Sequence, residues 1–425
     1  MANLNRLTAT DAARKLAARE ITAQALLVDC VERIHEREPV VHAWTSLGIE
    51  RAMERARWLD TQPASGLLHG LPIAVKDLFD TLDMPTGYGS PIYAGHRSAG
   101  DAASVALARA AGAIVVGKTV TTEFATFHPG PTCNPHDPRC TPGGSSSGSA
   151  AAVADWMVPL AFGTQTAGSI VRPAAYCGVV GYKPTYGTIC RVGAKMISDT
   201  LDTIGGFARS VPDIALFTAA LSGRDDLVVR EPMRETPRIG ICRTYEWDRA
   251  LPETIALFDD VDKRLRAAGA SVRAVVLPSE FAKLAAAQIA IMVREVAQSL
   301  SHEWLAHRDA LSAEMVAMIE AGLAVSPAQY DAARSLAAKC RAMLAQVFDG
   351  FDVLVAPSTA GEAPVGVDAT GDPLFNRVWT LLHAPCVHLP IARGPRGLPI
   401  GVSVVGPIGA DRATLLGADW IHAQF

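Results

Sequence analysis

Residues 141–184 read TPGGSSSGSAAAVADWMVPLAFGTQTAGSIVRPAAYCGVVGYKP. The stretch holds two serines in separate small-residue settings, Ser145 in GGSSSGS and Ser169 in TAGSI. Upstream, Lys76 sits between apolar residues in LPIAVKDLF. A serine hydroxyl is a poor nucleophile until a base takes its proton. The three residues together suggest a serine hydrolase whose base is lysine rather than histidine.

Each local signal has a bland alternative. A phosphate loop at 143–148 would need the GK[ST] ending, which GGSSSG lacks. Gly144–Gly148 fits GxSxG around Ser146, but a nucleophile elbow needs a buried strand before it. The preceding PHDPRCTP cannot be a central strand. What remains is a tight turn that delivers a serine hydroxyl to a proton relay, or a solvated Ser/Gly loop. The Ala-rich helix that follows argues for a packed position. In Thr166-Ala167-Gly168-Ser169 the small side chains let backbone N–H groups converge, as an oxyanion hole requires. A turn without a catalytic role fits the same residues. Lys76 follows Ile73-Ala74-Val75 and precedes Leu78-Phe79, so partial burial is expected, and desolvation favours a neutral amine. The competing reading is a surface lysine on an edge strand with Asp77 as counter-charge. His69, His128, His136, His383 and His388 fall in loops or strand ends without a signature joining them to a serine and an acid, so structural roles are expected.

At 425 residues the chain can bury a large core. Its net charge of −4 provides no basic field for nucleic acid and no polybasic membrane patch. Eight scattered cysteines without a CxxC pair read as free thiols in a reducing compartment. The N-terminal MANLNRLTATDAARKLAARE reads as an amphipathic helix, not a signal peptide. No apolar run reaches the ~18–20 residues that span a bilayer. The expectations are a cytoplasmic protein with no nucleic-acid or membrane partner. With no HExxH and no closely spaced His/Asp set, no metal or cofactor is expected.

Residues 1–60 read as helical, with N-cap residues in TATD at 8–11. A strand is expected at 71–75, a helix at 102–111 and a short buried strand at 113–116, a strand–helix–strand rhythm. A Pro/Gly-rich loop covers 129–144 and a short helix 147–154. A helical block spans 253–345, with runs at 285–300 and 328–347; Pro327 sits where a helix start tolerates it. Strands are expected at 238–242, 271–276, 353–356, 386–390 and 400–405. These read as one α/β domain over 1–425, with a central mixed sheet covered by helices on both faces. Its parts are an N-terminal helical region (1–65), a core (66–210) and a helical region facing the substrate (253–345).

Taken together the segments resemble the amidase signature family. LPIAVKD, SAGDAASVALARAAGAIVVGKT, NPHDPRCTPGGSSSGSAAAVA, GTQTAGSIVRPAAYCGVVGYKPTYG and LDTIGG fall in the family's order, as do the later FDVLVAPS, FNRVWTLLHAPC and GLPIGVSVVGP. The resemblance weakens only around 280–340. It implies that Ser169 is the acylated nucleophile and Lys76 the terminal base. Ser145 is then the bridging serine, after a cis Gly144–Ser145 bond. It also implies an oxyanion hole from the N–H groups of Thr166, Ala167, Gly168 and Ser169, with Ser146 supporting the relay. Members often form homodimers, which is the expected assembly.

Most members read Asp-x-Gly-Gly-Ser-x-Arg at the nucleophile, with the acid and arginine paired. This chain has Gln165 and Val171 there, and Arg172 one position later. Losing both charges avoids a buried unpaired ion. The variant looks like the malonamidase branch, whose substrates are small acid amides. Arg172 is then expected to face the pocket and bind a carboxylate, as in malonamate; pairing with a local acid or the backbone is the alternative. Expected pocket walls are Tyr88, residues 127–131, Trp379 and the helical block. Ile289, Ile291 and Val293 are expected in core or dimer contact. The leading function is a free-standing amidase on a small amide. A second is the glutaminase subunit of a tRNA-dependent amidotransferase, against which stand Gln165, Val171 and the missing C-terminal extension. A third, of another class, is an inactive binding protein on the same scaffold.

Overall fold

The computed structural model describes residues 3–233 and 235–425. Among them are strands β1 (Trp44–Leu47), β2 (Pro72–Lys76), β3 (Ile114–Thr119), β4 (Leu160–Gln165), β5 (Val180–Lys183), β6 (Thr203–Ala208), β7 (Arg238–Cys242), β8 (Ser271–Val275), β9 (Val353–Pro357), β10 (Cys386–Arg393) and β11 (Pro399–Val405). They join in one sheet, ordered β1-β3-β2-β4-β6-β5-β10-β11-β9-β7-β8. β3–β2–β4 and β9–β7–β8 pair in parallel, and the other neighbours run antiparallel. β2, β3 and β4 are buried along their whole length, the pattern of strands covered on both faces.

Both faces are covered by helices, and β4 shows how. Successive strand residues point to opposite faces. The Phe162 ring meets Phe217 of the helix Val211–Ser222 edge-on, with centroids 5.0 Å apart. A side chain on the adjacent Gly163 would instead meet Ile170, at the entry to the helix Val171–Cys177. The single α/β domain with a mixed sheet, expected from the sequence, is what the chain forms. Several elements lie close to their expected positions: the helix Ser147–Ala154, the helix Ala103–Ala110, and the strands β2, β3, β7, β8 and β9.

One local reading is corrected. Residues 1–60 are not all helical, because β1 interrupts them and pairs antiparallel with β3. Four residues are too few for strand periodicity to show, and the pairing partner lies some 70 residues downstream. As expected, a strand interrupts the helical block: β8, which pairs with β7 at the sheet edge.

The helices after β8 dock on the core through buried carboxylates. Glu295, in the helix Leu284–Ser299, accepts from Thr200 Oγ1 (2.7 Å), Thr200 N (3.1 Å), Ser198 Oγ and Tyr330 OH (2.7 Å). Glu303 accepts from Tyr93 OH (2.6 Å) and pairs with Lys195. Glu123 accepts from Ser312 N–H (3.2 Å) and Oγ, at the start of the helix Ala313–Ala324.

Asp77 does not serve Lys76. It faces Lys118 of β3, with Nζ 2.9 Å from Oδ1, and accepts the Gly87 N–H at 3.0 Å. Burial lowers the Lys118 pKa and raises that of Asp77, so desolvation outweighs the pairing at both ends. Breaking such a pair strands a buried charge. Asp77→Asn is expected to lower stability by about 3–5 kcal/mol, read as a lower urea midpoint at constant m. Adding Lys118→Met should recover most of the loss, and an additive loss in the double variant would contradict this account.

Candidate active site

Lys76 ends β2, in the interior of the sheet between β3 and β4, and is fully buried (0% exposed). The surface-lysine reading is therefore wrong. Its Nζ is surrounded by hydroxyls: Ser145 Oγ at 2.7 Å, Ser146 Oγ at 3.0 Å and Thr164 Oγ1 at 2.7 Å. Burial drives its pKa well below the ordinary lysine value; the charge of Asp202 opposes the shift but does not cancel it. Burial also raises Asp202, to about 6.

The Gly144–Ser145 peptide is cis. The Thr122 N–H donates to the Ser145 carbonyl at 3.3 Å. Ser146 Oγ also accepts from Thr164 N–H at 3.3 Å, so it links Lys76 to β4. Thr164 was not singled out in the sequence. Its only signal is its place in β4, whose pairing with β2 sets it beside the lysine.

Ser169 lies between β4 and the helix Val171–Cys177 and is 7% exposed. It lines a chamber of about 310 Å³ together with Thr126, Thr166, Ala167 and Arg172. Phe127, Ile197, Met292 and Met318 form much of its apolar wall, and no carboxylate lines it. Among the described residues nothing accepts a hydrogen bond from the N–H groups of Ala167, Gly168 and Ser169. Buried N–H groups are rarely left so.

The wall at 124–125 is strained. Phe124 (φ 44°) and Ala125 (φ 59°) are both left-handed without being glycine. Such residues cost about 1–3 kcal/mol each and persist where the surroundings over-determine them. Here the Phe124 N–H donates to the Tyr88 carbonyl at 2.9 Å, and Glu123 is tied to Ser312 and Ser90.

Gln165 caps the start of the following helix. Its Oε1 accepts from Ile170 N–H at 2.9 Å and Val171 N–H at 3.0 Å, while Nε2 donates to Thr380 Oγ1 at 2.9 Å. Arg172 is 1% exposed. Its Nη2 donates to the Gly144 carbonyl (2.7 Å) and Thr370 Oγ1 (3.0 Å), whereas Nε and Nη1 are buried without a protein partner. Burial lowers its pKa to about 10, with the Arg377 charge contributing, so it is cationic at neutral pH.

Two expected wall residues lie elsewhere. Trp379 is packed in the core at 1% exposure, and the Tyr88 hydroxyl donates to Asp80 at 2.7 Å, with the ring against Tyr93. Of residues 127–131, Phe127 reaches the chamber. Ile291 is core, Val293 half-buried and Ile289 exposed, while Met292, between them, faces the chamber. One histidine does meet a serine: His388 Nδ1 lies 2.7 Å from Ser358 Oγ. That pair is fully buried, and burial drops the histidine pKa to about 3, so it is a structural pair within the sheet.

The chain belongs to the Amidase family, which it matches over residues 25–415. It is an amide C–N hydrolase of that family. It is 34% identical to a glutamyl-tRNA(Gln) amidotransferase subunit from Mycobacterium ulcerans, with 100% of this chain and 99% of the relative covered. Among solved structures it resembles a protein described as an amidase, at TM-score 0.90 and 30% identity over 99% of this chain and 100% of that one. It also resembles the peptide amidase of Stenotrophomonas maltophilia, at TM-score 0.82 and 29% identity over 99% and 97%. No helix among the described residues is long and apolar enough to cross a membrane.

Gly168 has no room for a side chain. A Cβ there would meet Asn376 Oδ1, and Pro373 Cβ at 2.7 Å. Gly168→Ala is expected to lower stability by about 1–3 kcal/mol through overpacking. An unchanged melting temperature would show that the loop has slack.

Proposed function

We propose that this chain hydrolyses a short amide that carries a carboxylate, with malonamate as the type substrate. The observation that carries the reading is Arg172, a buried cation with two unpartnered nitrogens on the chamber that holds Ser169. Buried donors of this kind are costly unless a ligand satisfies them. A carboxylate on Arg172 and an amide carbon at Ser169 Oγ suit a small acyl group. The narrow chamber, walled by Phe127, Ile197, Met292 and Met318, supports a small substrate.

In this reading neutral Lys76 takes a proton from Ser145 as Ser145 takes one from Ser169. The Ser169 oxygen attacks the amide carbon, and the N–H groups of the 166–169 segment stabilise the oxyanion. Collapse breaks the C–N bond, and the proton returns from Lys76 through Ser145 to the departing ammonia. Water then enters by the same relay and releases the dicarboxylate. Ser146 and Thr164 hold the Lys76 amine on its path between the two states.

A second reading is the glutaminase subunit of a tRNA-dependent amidotransferase. Its support is the whole-length likeness to the mycobacterial relative. Among the described residues no carboxylate lines the Ser169 chamber itself, while Glu314, Asp368 and Asp372 line the adjoining cleft that shares Phe127 and Pro373. The alignment with that relative, at 489 positions, is longer than this chain of 425 residues, so the relative carries segments without a counterpart here. A homodimer and a cytoplasmic location remain part of the proposal.

Specificity tests the assignment of Arg172. The wild-type chain should prefer malonamate to neutral malonamide by about 10²–10³ in kcat/KM, the worth of a charge-assisted pair. In Arg172→Gln that ratio should collapse toward unity, whatever happens to absolute turnover. A preserved ratio would remove the carboxylate role, and faster hydrolysis of glutamine than of malonamate would favour the second reading.

The pH profile tests the base. Protonated Lys76 cannot accept a proton, so kcat/KM should fall as pH is lowered through its ionisation. Because burial depresses that pKa, the midpoint should lie below the ordinary lysine value of 10.5. A profile that rises only near that value would mean that the amine is not held neutral.

A further inference from the structure

The peptide groups facing the chamber are held from behind. The Thr166 carbonyl accepts from Gln288 Nε2 at 3.0 Å, the Ala167 carbonyl from Thr380 Oγ1 at 2.7 Å, and the Gly168 carbonyl from the Arg172 N–H at 2.9 Å. These peptides are trans, and in a planar trans peptide the C=O and N–H point opposite ways. Holding the carbonyls of 166, 167 and 168 therefore aims the N–H groups of 167, 168 and 169 to the other side. Among the described residues none of those three N–H groups has an acceptor.

The third anchor is local, since it is the first turn of the helix after Ser169. The other two come from far away in the chain. Gln288 belongs to the helix Leu284–Ser299 and Thr380 to the helix Arg377–Leu381. Both are fully buried. Arg377 Nη1 donates to Gln288 Oε1 at 2.8 Å, which sets the amide so that its NH₂ faces Thr166. Thr380 Oγ1 accepts from Gln165 Nε2 at 2.9 Å, which leaves its single hydrogen for the Ala167 carbonyl; the Asn376 carbonyl, at 3.1 Å, is the more distant competitor. Gln165 thus both accepts and donates. An ionised carboxylate in its place could accept from Ile170 and Val171 but could not donate to Thr380.

We infer that Thr380 and Gln288 are positioning residues of the oxyanion hole, and that Gln165 directs the Thr380 proton to the Ala167 carbonyl. The inference rests on Ser169 being the nucleophile. A donor on a peptide carbonyl both fixes the peptide plane and polarises its N–H, so each anchor strengthens a contact made in the transition state.

The test uses the full chain, with two readouts: hydrolysis of malonamate, and the rate at which a fluorophosphonate modifies Ser169. The second reports the oxyanion hole without depending on the identity of the substrate. Thr380→Val removes the hydroxyl at nearly constant shape. It should lower kcat and the labelling rate about ten- to a hundredfold, with KM changed by less than about twofold and the pH midpoint unmoved. Thr380→Ser should restore both rates to within about threefold of wild type. Gln288→Met should act in the same direction as Thr380→Val. Wild-type rates per labelled site in Thr380→Val, or losses that track only the folded fraction by circular dichroism, would overturn the inference. If malonamate is inert but Ser169 is labelled, the substrate assignment fails and the labelling rates still decide the positioning role. If wild-type Ser169 is not labelled at all, the nucleophile reading fails and the inference falls with it.

Discussion

A lysine amine buried without a carboxylate hydrogen-bonded to it is the constraint on which this site depends. Lys76 finds three hydroxyls instead, and Asp202, the acid whose charge it feels, acts only through its field. Hydroxyls bring no counter-charge, so desolvation of the buried amine favours the neutral base form. Two features follow from this. The neighbouring acid, Asp77, has to be occupied elsewhere, and Lys118 occupies it. The parallel pairing of β2 with β4 sets Thr164 beside the amine, and the loop entering the helix Ser147–Ala154 brings Ser145 and Ser146 to the same point. A protein that let Asp77 reach the amine would hold it charged and lose the base.

The same preference for neutral partners recurs beneath Ser169. Where most of the family pairs an acid with an arginine, this chain uses an amide and a valine. Gln165 keeps the acceptor that the following helix needs and adds a donor. The charge is not lost from the region but moved. Arg172 carries it one position on, where the backbone of Gly144 and the hydroxyl of Thr370 hold one nitrogen and leave two others free. A cation held rigidly by neutral groups keeps its affinity for an anion, whereas one paired with a carboxylate has already spent it.

The helices between β8 and β9 form one side of the reaction chamber. Met292 and Met318 wall it, Gln288 holds the Thr166 carbonyl, and Glu295 ties the 198–200 loop to the same helix.

The α/β class and most strands were legible in the chain because they rest on local patterning, while the candidate triad came from the resemblance of whole motifs, in order, to the amidase signature family. Lys76 between apolar residues, and serines 145 and 169 among small ones, are legible over a few positions. The sequence could not show which way Arg172 points, since that depends on Thr370 and Gly144 meeting it from other segments. It left the partner of Asp77 open, which lies on the next strand, and misjudged Trp379, whose bulk serves the core rather than the pocket. Nor could it have found Thr164, Gln288 or Thr380, ordinary polar residues in strand or helix. The last two lie 122 and 213 residues from the carbonyls they hold. Only tertiary structure decides such contacts, because a hydrogen bond reads distance in space and local pattern carries no record of it.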